Sequence, residues 1–470
     1  MRTQLRSIWA AVALGVPALG GCDKLDVTDL NNPGLDQLEQ NPTPSAVNTA
    51  ASGLLIGLRN GVSAENGWVT IVGAMGREGY NLNTVSDPRY ISEVVVGPLS
   101  PGSPAFGANF WPQRYANIRN ATVLLNAVDN VVGLSDAEKE GIRGFTKTIQ
   151  ALEFLSVIVS RDENGAVIDV NRPPTGEPGP IAPPEEVYAK IVELLEEGRT
   201  HLQAAGGAFS FRLSTGFGSF DTPLQFLKVN RAIRARVAVY LDDWNTALDA
   251  LLQSFLDTNA PLSTGVYHVF GTGSGDLTNL IIQSHPFIRA EPSLLTSAQL
   301  QPNNQPDLRA TTKIATGDPA TGGTTPITVT SDKIFTLYPD PTSPVAIIRN
   351  EELILLRAEA NVGLGTGASI AAALDDINLI RTNAGGLAPY SGAQTAAAVL
   401  DELLYNKRYS LLWEGGHSWI DFRHYNKLTA LPRQAGENGK FFTKMPFPNN
   451  ECLARTDAAS LPGCSPVVGQ

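Results

Sequence analysis

Cysteine has the most reactive side chain in this sequence, and only three of the 470 residues are cysteines. Cys22 ends an L-G-G-C segment that directly follows an apolar run over residues 8–19. Arg2 and Arg6 precede that run and give the leader a positive charge. A run of this length is too short to cross a bilayer and is typical of an export signal. The small glycines leave the bond before Cys22 accessible to a peptidase, and the cysteine thiol is a nucleophile that can take up a lipid.

The leader and its cysteine together predict a bacterial lipoprotein. On this interpretation residues 1–21 are the signal peptide, Cys22 is the lipidation site, and residues 22–45 are a lipidated tether. The lipid would hold an otherwise water-soluble protein at a membrane surface. The alternative is an ordinary secretory leader with an incidental cysteine at its end.

The other two cysteines, Cys452 and Cys464, lie close together in a tail over about residues 430–470 that is rich in Pro, Gly and Asn. An exported protein meets oxidising conditions, which favour a disulfide between two nearby thiols. The sequence therefore predicts that Cys452 and Cys464 are paired.

Residue sets that perform bond chemistry are poorly represented. The sequence has five histidines, and His417 and His424 would need a third ligand to hold a metal. The acidic stretch over residues 162–169 does not have the spacing of an EF-hand and is better explained as a solvated turn. There is no G-x-S-x-G element. We therefore predict no catalytic residues, no metal site and no cofactor.

Composition indicates a globular protein with an acidic surface. Hydrophobic residues make up 43% and charged residues 17% of the chain, and the formal net charge is −11. Nucleic acid requires a positive protein surface, so this charge argues against it as a partner. No apolar run of membrane-spanning length follows the leader.

Helical periodicity dominates the remainder of the sequence and occurs in pairs of helices joined by Gly- and Pro-containing turns. The pairs cover about residues 110–255 and 345–425, and the segment over about 262–344 is loop-rich with a few short strands. Ser135 with Glu138 predicts a capping box at a helix start, and Gly365 predicts a helix end. The predicted fold is mainly α: a tetratricopeptide-like helical-hairpin platform with an irregular, loop-rich lobe, in one domain over residues 46–470.

Several motifs occur in an order and spacing typical of one family. The first resembles W-x3-Y-x2-I-x-N-A and consists of Trp111, Tyr115, Ile118, Asn120 and Ala121. Later elements are similar to an R-A-E-A helix, an I-N-x-x-R element and an R-x2-L-x2-E-G…D-x-R signature, and they contain Arg357, Ala358, Glu359, Ala360, Asn378, Arg381, Arg408, Leu411, Glu414, Gly415, Asp421 and Arg423. On these residues the chain resembles the SusD/RagB outer-membrane lipoproteins of bacterial nutrient uptake. Asn406, Ser410 and Ser418 depart from the family pattern.

The resemblance implies a lipid-anchored protein of the outer membrane that faces the cell exterior. Such a protein binds an oligomeric nutrient, commonly a glycan and sometimes a peptide, and delivers it to a SusC-like TonB-dependent transporter. It implies no enzymatic activity.

Charged residues in the C-terminal motifs predict a structural network. We expect Glu359, Glu414 and Asp421 to pair with Arg357, Arg381 and Arg408 and to hold the C-terminal helices together.

Aromatic and amide side chains alternate between residues 68 and 90 in a glycine-rich setting. Sugar rings stack their C–H faces on aromatic rings, and polar side chains hold their hydroxyls. The predicted ligand-binding residues are Trp68, Arg77, Tyr80, Asn81, Asn83, Asp87 and Tyr90. The alternative is that Trp68 and Tyr80 belong to the core or face the transporter.

Other functions remain open on sequence alone. A protein of the same fold could bind peptides, and a lipid-anchored hydrolase or a purely structural tetratricopeptide adaptor would share the leader and the helical repeats. A convergent set of acid, base or nucleophile would favour the hydrolase, and association with envelope proteins without a small ligand would favour the adaptor.

Overall fold

The computed structural model describes residues 35–85, 87–103, 110–173, 176–324, 327–434, 437 and 439–470. The predicted signal peptide, the lipidation site Cys22 and the tether up to residue 34 lie outside these ranges. Among the residues described, no helix is both long enough and apolar enough to span a membrane.

Helices provide most of the regular structure. In the first half they are α1 (Leu35–Gln40), α2 (Pro44–Arg59), α3 (Trp68–Met75), α4 (Arg89–Ser92), α5 (Pro112–Asn130), α6 (Asp136–Arg161), α7 (Pro184–Ala204), α8 (Pro223–Tyr240) and α9 (Trp244–Leu252). In the second half they are α10 (Ser293–Thr296), α11 (Leu308–Lys313), α12 (Asn350–Leu364), α13 (Gly367–Asn383), α14 (Ala396–Ser410), α15 (His417–His424) and α16 (Asn449–Leu453).

The strands form antiparallel pairs that are distributed around the helices. They are β1 (Gly79–Asn81), β2 (Ala166–Val167), β3 (Ile181–Ala182), β4 (Gly265–His268), β5 (Ile288–Ala290), β6 (Ile314–Thr324), β7 (Ile327–Phe335) and β8 (Val345–Arg349). The pairs are β1 with β5, β2 with β3, β4 with β8, and β6 with β7.

The first helical group, α5 to α8, packs as successive helical hairpins. Its longest helix, α6, begins at the predicted capping box: the Ser135 amide donates to Glu138 Oε2 over 2.8 Å, and the Glu138 amide donates to Ser135 Oγ over 3.3 Å. A Cβ placed on Gly144 of α6 would lie 2.9 Å from the main-chain oxygen of Gly198 in α7. A side chain at either glycine would separate these two helices, because their backbones pass in direct contact there.

The second helical group consists of α12, α13 and α14, which share a core of aliphatic side chains. Helix α12 ends at Gly365, whose φ of 66° is the left-handed conformation predicted for that position. Helix α9, which follows the first group, packs on α12 through Trp244, which lies against Gly363.

The irregular lobe lies between the two helical groups in sequence and is more regular than expected. Strands β6 and β7 form a long hairpin, paired from Ile314 with Phe335 to Thr324 with Ile327 and interrupted by one irregularity. The mainly α fold class, with tetratricopeptide-like helical pairs and an irregular lobe, is confirmed.

Candidate functional site

The predicted ligand-binding stretch contacts the irregular lobe through a short strand pair. Tyr80 in β1 is the partner of Arg289 in β5, and Asn81 is the partner of Ile288. The pairing continues beyond the strands, since the Leu82 amide donates to the main-chain oxygen of Phe287 over 2.9 Å. This contact divides six of the seven predicted residues into an interior group and a surface group, and the seventh, Trp68, lies elsewhere.

Arg77 and Tyr80 belong to the interior. Neither side chain has accessible surface, and both contact the carboxylate of Glu437: Arg77 Nε lies 2.6 Å from Oε1, and the Tyr80 hydroxyl donates to Oε2 over 3.3 Å. The Arg77 guanidinium also lies 4.8 Å from the centre of the Phe441 ring. The prediction that these two residues contact a ligand is therefore corrected, because neither side chain is accessible to one. Their contacts with Glu437 and Phe441 instead anchor the C-terminal tail.

Asn81 and Tyr90 are also buried, at 2% and 7% exposure, and the same correction applies to them. Asn81 Nδ2 donates to the main-chain oxygen of Glu65 over 3.1 Å. The pKa of Tyr90 is raised to about 12, first by burial and then by the carboxylates of Glu65 and Asp87. Both side chains support the surface residues beside them.

The surface group lies where β1 and β5 end, and we call Glu65, Asn83, Asp87, His285 and Phe287 the outer rim. Asn83 Nδ2 donates to Glu65 Oε1 over 2.6 Å. All five side chains are partly exposed. They combine two carboxylates, an amide, an imidazole and a phenyl ring, which are groups that bind hydroxyls and pack on sugar faces.

His285 has a defined role in the outer rim. Its Nδ1 accepts hydrogen bonds from the amides of Phe287, at 3.2 Å, and Ile288, at 3.1 Å, so the neutral ring carries its proton on Nε2. Burial lowers its pKa, Glu65 acts in the opposite direction, and Arg289 adds to the lowering. The imidazole is therefore neutral at physiological pH and presents an N–H donor.

Arg89 fixes the orientation of the Asp87 carboxylate in the outer rim. Asp87 Oδ1 lies 2.8 Å from Arg89 Nε, and Oδ2 lies 2.7 Å from Arg89 Nη2. These hydrogen bonds lower the pKa of Asp87. A bidentate pair fixes both side chains in one orientation, so the carboxylate is preorganised to accept a further hydrogen bond.

Trp68 lies apart from the outer rim, at a cavity of about 110 Å³ that we call the inner pocket. Its ring packs edge to face on Phe110 with the ring centres 5.4 Å apart. Helices α2, α3, α5, α6, α8 and α15, strands β4 and β8 and the turn before α15 contribute lining residues. The lining residues are Leu58, Val62, Trp68, Arg114, Leu152, Leu155, Ser156, Val159, Arg236, Tyr240, His268, Val345, Ala346, Ile347, Glu414, Gly415, His417 and Ile420.

The two arginines that line the inner pocket form ion pairs with carboxylates that do not line it. Arg114 Nη1 lies 2.9 Å from Glu153 Oε2. Arg236 Nε and Nη2 lie 2.6 Å and 2.7 Å from the two oxygens of Glu352. Each guanidinium is thus neutralised by a buried carboxylate, and the inner pocket carries little net charge.

Two imidazoles complete the inner pocket. Burial, with Arg114 and Arg59 adding to it, lowers the pKa of His268 to about 3. Burial also lowers the pKa of His417 to about 4, against the opposing effect of Glu352. Both rings are neutral at physiological pH, and each offers one donor and one acceptor.

A wider cavity of about 380 Å³ lies on the other side of Leu58, His268 and Ile347. It contains an ion pair between Arg59 and Asp276, and Arg59 Nη1 also donates to the main-chain oxygen of Val269 over 2.6 Å. Trp413 and Trp419 are fully buried and belong to the core.

The predicted charge network exists, but the pairing expected within it is wrong. Arg357 pairs with Asp376, and Arg381 pairs with Glu402. The acids find other partners: Glu414 binds Arg349 and Lys313, while Glu359 and Asp421 both bind Lys407. Arg408 donates to the main-chain oxygen of Arg77 over 3.3 Å. Each of the six predicted residues therefore binds a group on another element of the structure, and the network still connects the C-terminal helices to one another and to the irregular lobe.

The tail contains the predicted disulfide. Cys452 and Cys464 are joined, with their Cα atoms 5.7 Å apart. Beside Cys452, Glu451 Oε2 accepts a hydrogen bond from the Trp111 indole over 3.0 Å and so connects the tail to α5.

Sequence reasoning missed several functional candidates. His285 and Phe287 lie in the loop-rich segment and belong to no motif. Lys407 directly precedes Arg408, which is the residue that matches the family signature. Arg236, Tyr240 and His268 were not singled out because only the fold brings them to one cavity. Within the described ranges, no group of three or more His, Cys, Asp or Glu side chains is arranged to hold a metal ion.

Sequence comparison alone does not classify the chain: no family model matches it, and no curated protein matches it. Solved structures do match. A SusD superfamily protein from Bacteroides vulgatus is 15% identical, with 91% of this chain and 99% of that chain covered and a TM-score of 0.63. A laminarin-binding SusD-like protein is 17% identical, with 87% and 97% covered and a TM-score of 0.63.

A SusD/RagB family protein from Bacteroides thetaiotaomicron is 16% identical, with 88% of this chain and 96% of that chain covered and a TM-score of 0.61. The matches extend over nearly the full length of each protein, so they include the helical groups and the irregular lobe together. The chain therefore has the SusD-like fold, which confirms the resemblance to the SusD/RagB proteins at the level of architecture.

Proposed function

We propose that this chain is a surface lipoprotein of the outer membrane that binds an oligosaccharide at the outer rim and delivers it unaltered to a SusC-like TonB-dependent transporter. The observation that carries the proposal is the SusD-like fold over nearly the whole chain, which it shares with a laminarin-binding protein. The lipid on Cys22 would provide the membrane anchor.

The chemistry of the outer rim supports a glycan as the ligand. Phe287 offers a partly exposed ring, and Asn83, Asp87 and His285 provide acceptors and donors around it. The bidentate Arg89 pair and the two amide hydrogen bonds to His285 hold these groups in place before a ligand arrives. Preorganised polar groups beside an apolar ring favour a ligand that has hydroxyls on its edge and C–H groups on its faces.

Titration calorimetry on the chain from residue 23 onward tests this proposal. The ligands are laminarin oligosaccharides, other neutral oligosaccharides and a pool of short peptides. We expect an oligosaccharide to bind and Phe287→Ala to weaken it about tenfold, which is the loss of a stacked ring worth about 1.4 kcal/mol.

Asn126→Ala on α5 and Tyr390→Ala between α13 and α14 are matched controls, because they remove an amide and an aromatic ring outside the outer rim. Both controls should leave the affinity unchanged. Binding of peptides alone would replace the glycan with a peptide as cargo, and equal losses in the rim variant and the controls would refute the site.

A further inference from the structure

The inner pocket has no role in the proposed function, yet it has the composition of a binding site. It lies at Trp68, and none of the residues of the outer rim line it. Aliphatic side chains of α6, including Leu152, Leu155 and Val159, form one wall. A volume of about 110 Å³ holds several water molecules or one small ring-sized molecule.

Four polar side chains that line the inner pocket have no hydrogen-bond partner among the described residues: Trp68, Tyr240, His268 and His417. A polar group without a partner in the protein is satisfied by water or by a ligand. All four side chains line the cavity and retain some accessible surface.

Gly415 shows how closely two of these groups approach. A Cβ built on this residue would lie 3.7 Å from Trp68 Nε1 and 4.0 Å from His417 Nε2. The absence of a side chain at Gly415 therefore keeps open the space into which both nitrogens point. One small molecule there would contact both.

The charge balance of the inner pocket selects a neutral ligand. Arg114 is already paired with Glu153, and Arg236 is paired with Glu352, so an anion would gain little from either guanidinium. Glu414, the carboxylate that lines the cavity, is paired with Arg349 and Lys313. A cation would face the same two arginines and lose its hydration. The remaining groups are an indole donor, a phenol and two neutral imidazoles, which together donate and accept hydrogen bonds as hydroxyl groups do.

We propose that the inner pocket is a second binding site, separate from the outer rim, for one small neutral polyhydroxylated molecule no larger than a single monosaccharide. The aliphatic wall of α6 contacts the C–H groups of this molecule. The Trp68 indole, the Tyr240 hydroxyl and the two imidazoles bind its hydroxyls. The site goes beyond the proposed function, since it requires no oligomer and no transporter.

Titration calorimetry of the full mature chain with glycerol, myo-inositol and D-glucose tests the site, and D-glucuronate is the charged comparison. We expect at least one neutral probe to bind with a stoichiometry of one. Tyr240→Phe should weaken it about fivefold, as expected for the loss of one neutral hydrogen bond. Tyr188→Phe, which removes the same hydroxyl from α7, should leave it unchanged.

Ser156→Leu provides a second, steric test. Ser156 lines the inner pocket from α6, and a larger side chain there would occupy the cavity, so binding of the neutral probe should be lost while the thermal unfolding midpoint of the chain is retained. Phe287→Ala in the outer rim should leave binding of the neutral probe intact, which separates a failure here from a failure of the proposed function. The proposal is overturned if no neutral probe binds, if D-glucuronate binds more tightly than D-glucose, or if Ser156→Leu binds the probe as the unmodified chain does.

Discussion

Lys407 illustrates how single residues stabilise the junction of the C-terminal helices. Its Nζ lies 2.6 Å from an oxygen of Glu359 and 2.6 Å from an oxygen of Asp421, and all three side chains are buried. The two carboxylates raise the pKa of Lys407 against the effect of burial. The lysine is therefore charged and compensates two acids that would otherwise repel each other.

Replacement of Lys407 by methionine tests this triad. Lys407→Met should lower the free energy of unfolding by about 3 to 5 kcal/mol, because two buried carboxylates lose the cation that they share. Urea denaturation measures the change. Lys190→Met removes an exposed lysine 3.0 Å from Glu193 and should cost less than about 1 kcal/mol. Similar losses in both variants would contradict a structural role for the triad.

Glu78 links the stability of the protein to pH. Its carboxylate is fully buried and accepts hydrogen bonds from the amides of Trp413, at 2.9 Å, and Ser418, at 3.2 Å. Burial is the largest effect and raises the pKa to about 7, although these hydrogen bonds and Arg408 oppose it. As pH rises, the folded state therefore keeps the Glu78 proton up to a higher pH than the unfolded state does.

The sign of the pH effect follows from that proton. Between about pH 4.5 and 7 the folded state binds more protons than the unfolded state, so the free energy of unfolding falls as pH rises, by on the order of 3 kcal/mol in total. Glu78→Gln should remove this part of the slope in urea denaturations over that pH range. The exposed substitution Glu193→Gln should retain it. Asp421, whose pKa burial raises to about 7, contributes its own part of the slope, so only a slope as steep in Glu78→Gln as in the unmodified chain would contradict the assignment to Glu78.

Element packing depends on close approach between helices. A Cβ on Gly363 of α12 would lie 2.2 Å from Trp244 Cε2 of α9, so Gly363→Ala should lower the free energy of unfolding by about 1 to 3 kcal/mol. Gly53 in α2 has open space around it, and Gly53→Ala should raise the free energy by about 0.5 to 1 kcal/mol. Thermal or urea unfolding distinguishes the two, and equal effects would contradict the α9–α12 contact.

Local sequence signals predicted elements well where the interaction itself is local. The capping box of Ser135 with Glu138 and the left-handed end at Gly365 each depend on residues within one helical turn. The pairing of β1 with β5 could not be predicted, because a three-residue strand has almost no periodic signal and its partner is distant in sequence. Tyr80 was therefore assigned to a ligand site on residue type alone, although the pairing buries it.

The candidate site was predicted only in part for the same reason. Asn83 and Asp87 lie in a stretch whose composition suits sugars, and the structure leaves them partly exposed. His285 and Phe287, which complete the outer rim, come from a segment without motifs. Residue types indicate which ligands a set of side chains could bind. Whether those side chains come together depends on tertiary contacts between segments that are distant in sequence.

At the scale of the whole molecule, the proposed function requires an anchor outside the described residues. Cys22→Ser should move the protein from the membrane fraction to the soluble fraction of fractionated cells, because one lipidated cysteine is the predicted attachment. Cys464→Ser changes a different cysteine and should leave the protein in the membrane fraction. Intact mass measurement should detect acyl chains on the unmodified protein. Membrane retention of Cys22→Ser would contradict lipid anchoring.

The SusD-like fold places the two helical groups and the irregular lobe in one architecture, and the outer rim lies where the lobe contacts the N-terminal part through β1 and β5. The central claim is that an oligosaccharide binds at this place. A crystal structure of the mature chain with the tightest-binding oligosaccharide tests it most directly. The account predicts an intact glycan with a sugar ring against Phe287 and hydroxyls bonded to Asn83 and Asp87, whereas a cleaved glycan, or one bound elsewhere with the outer rim empty, would contradict it.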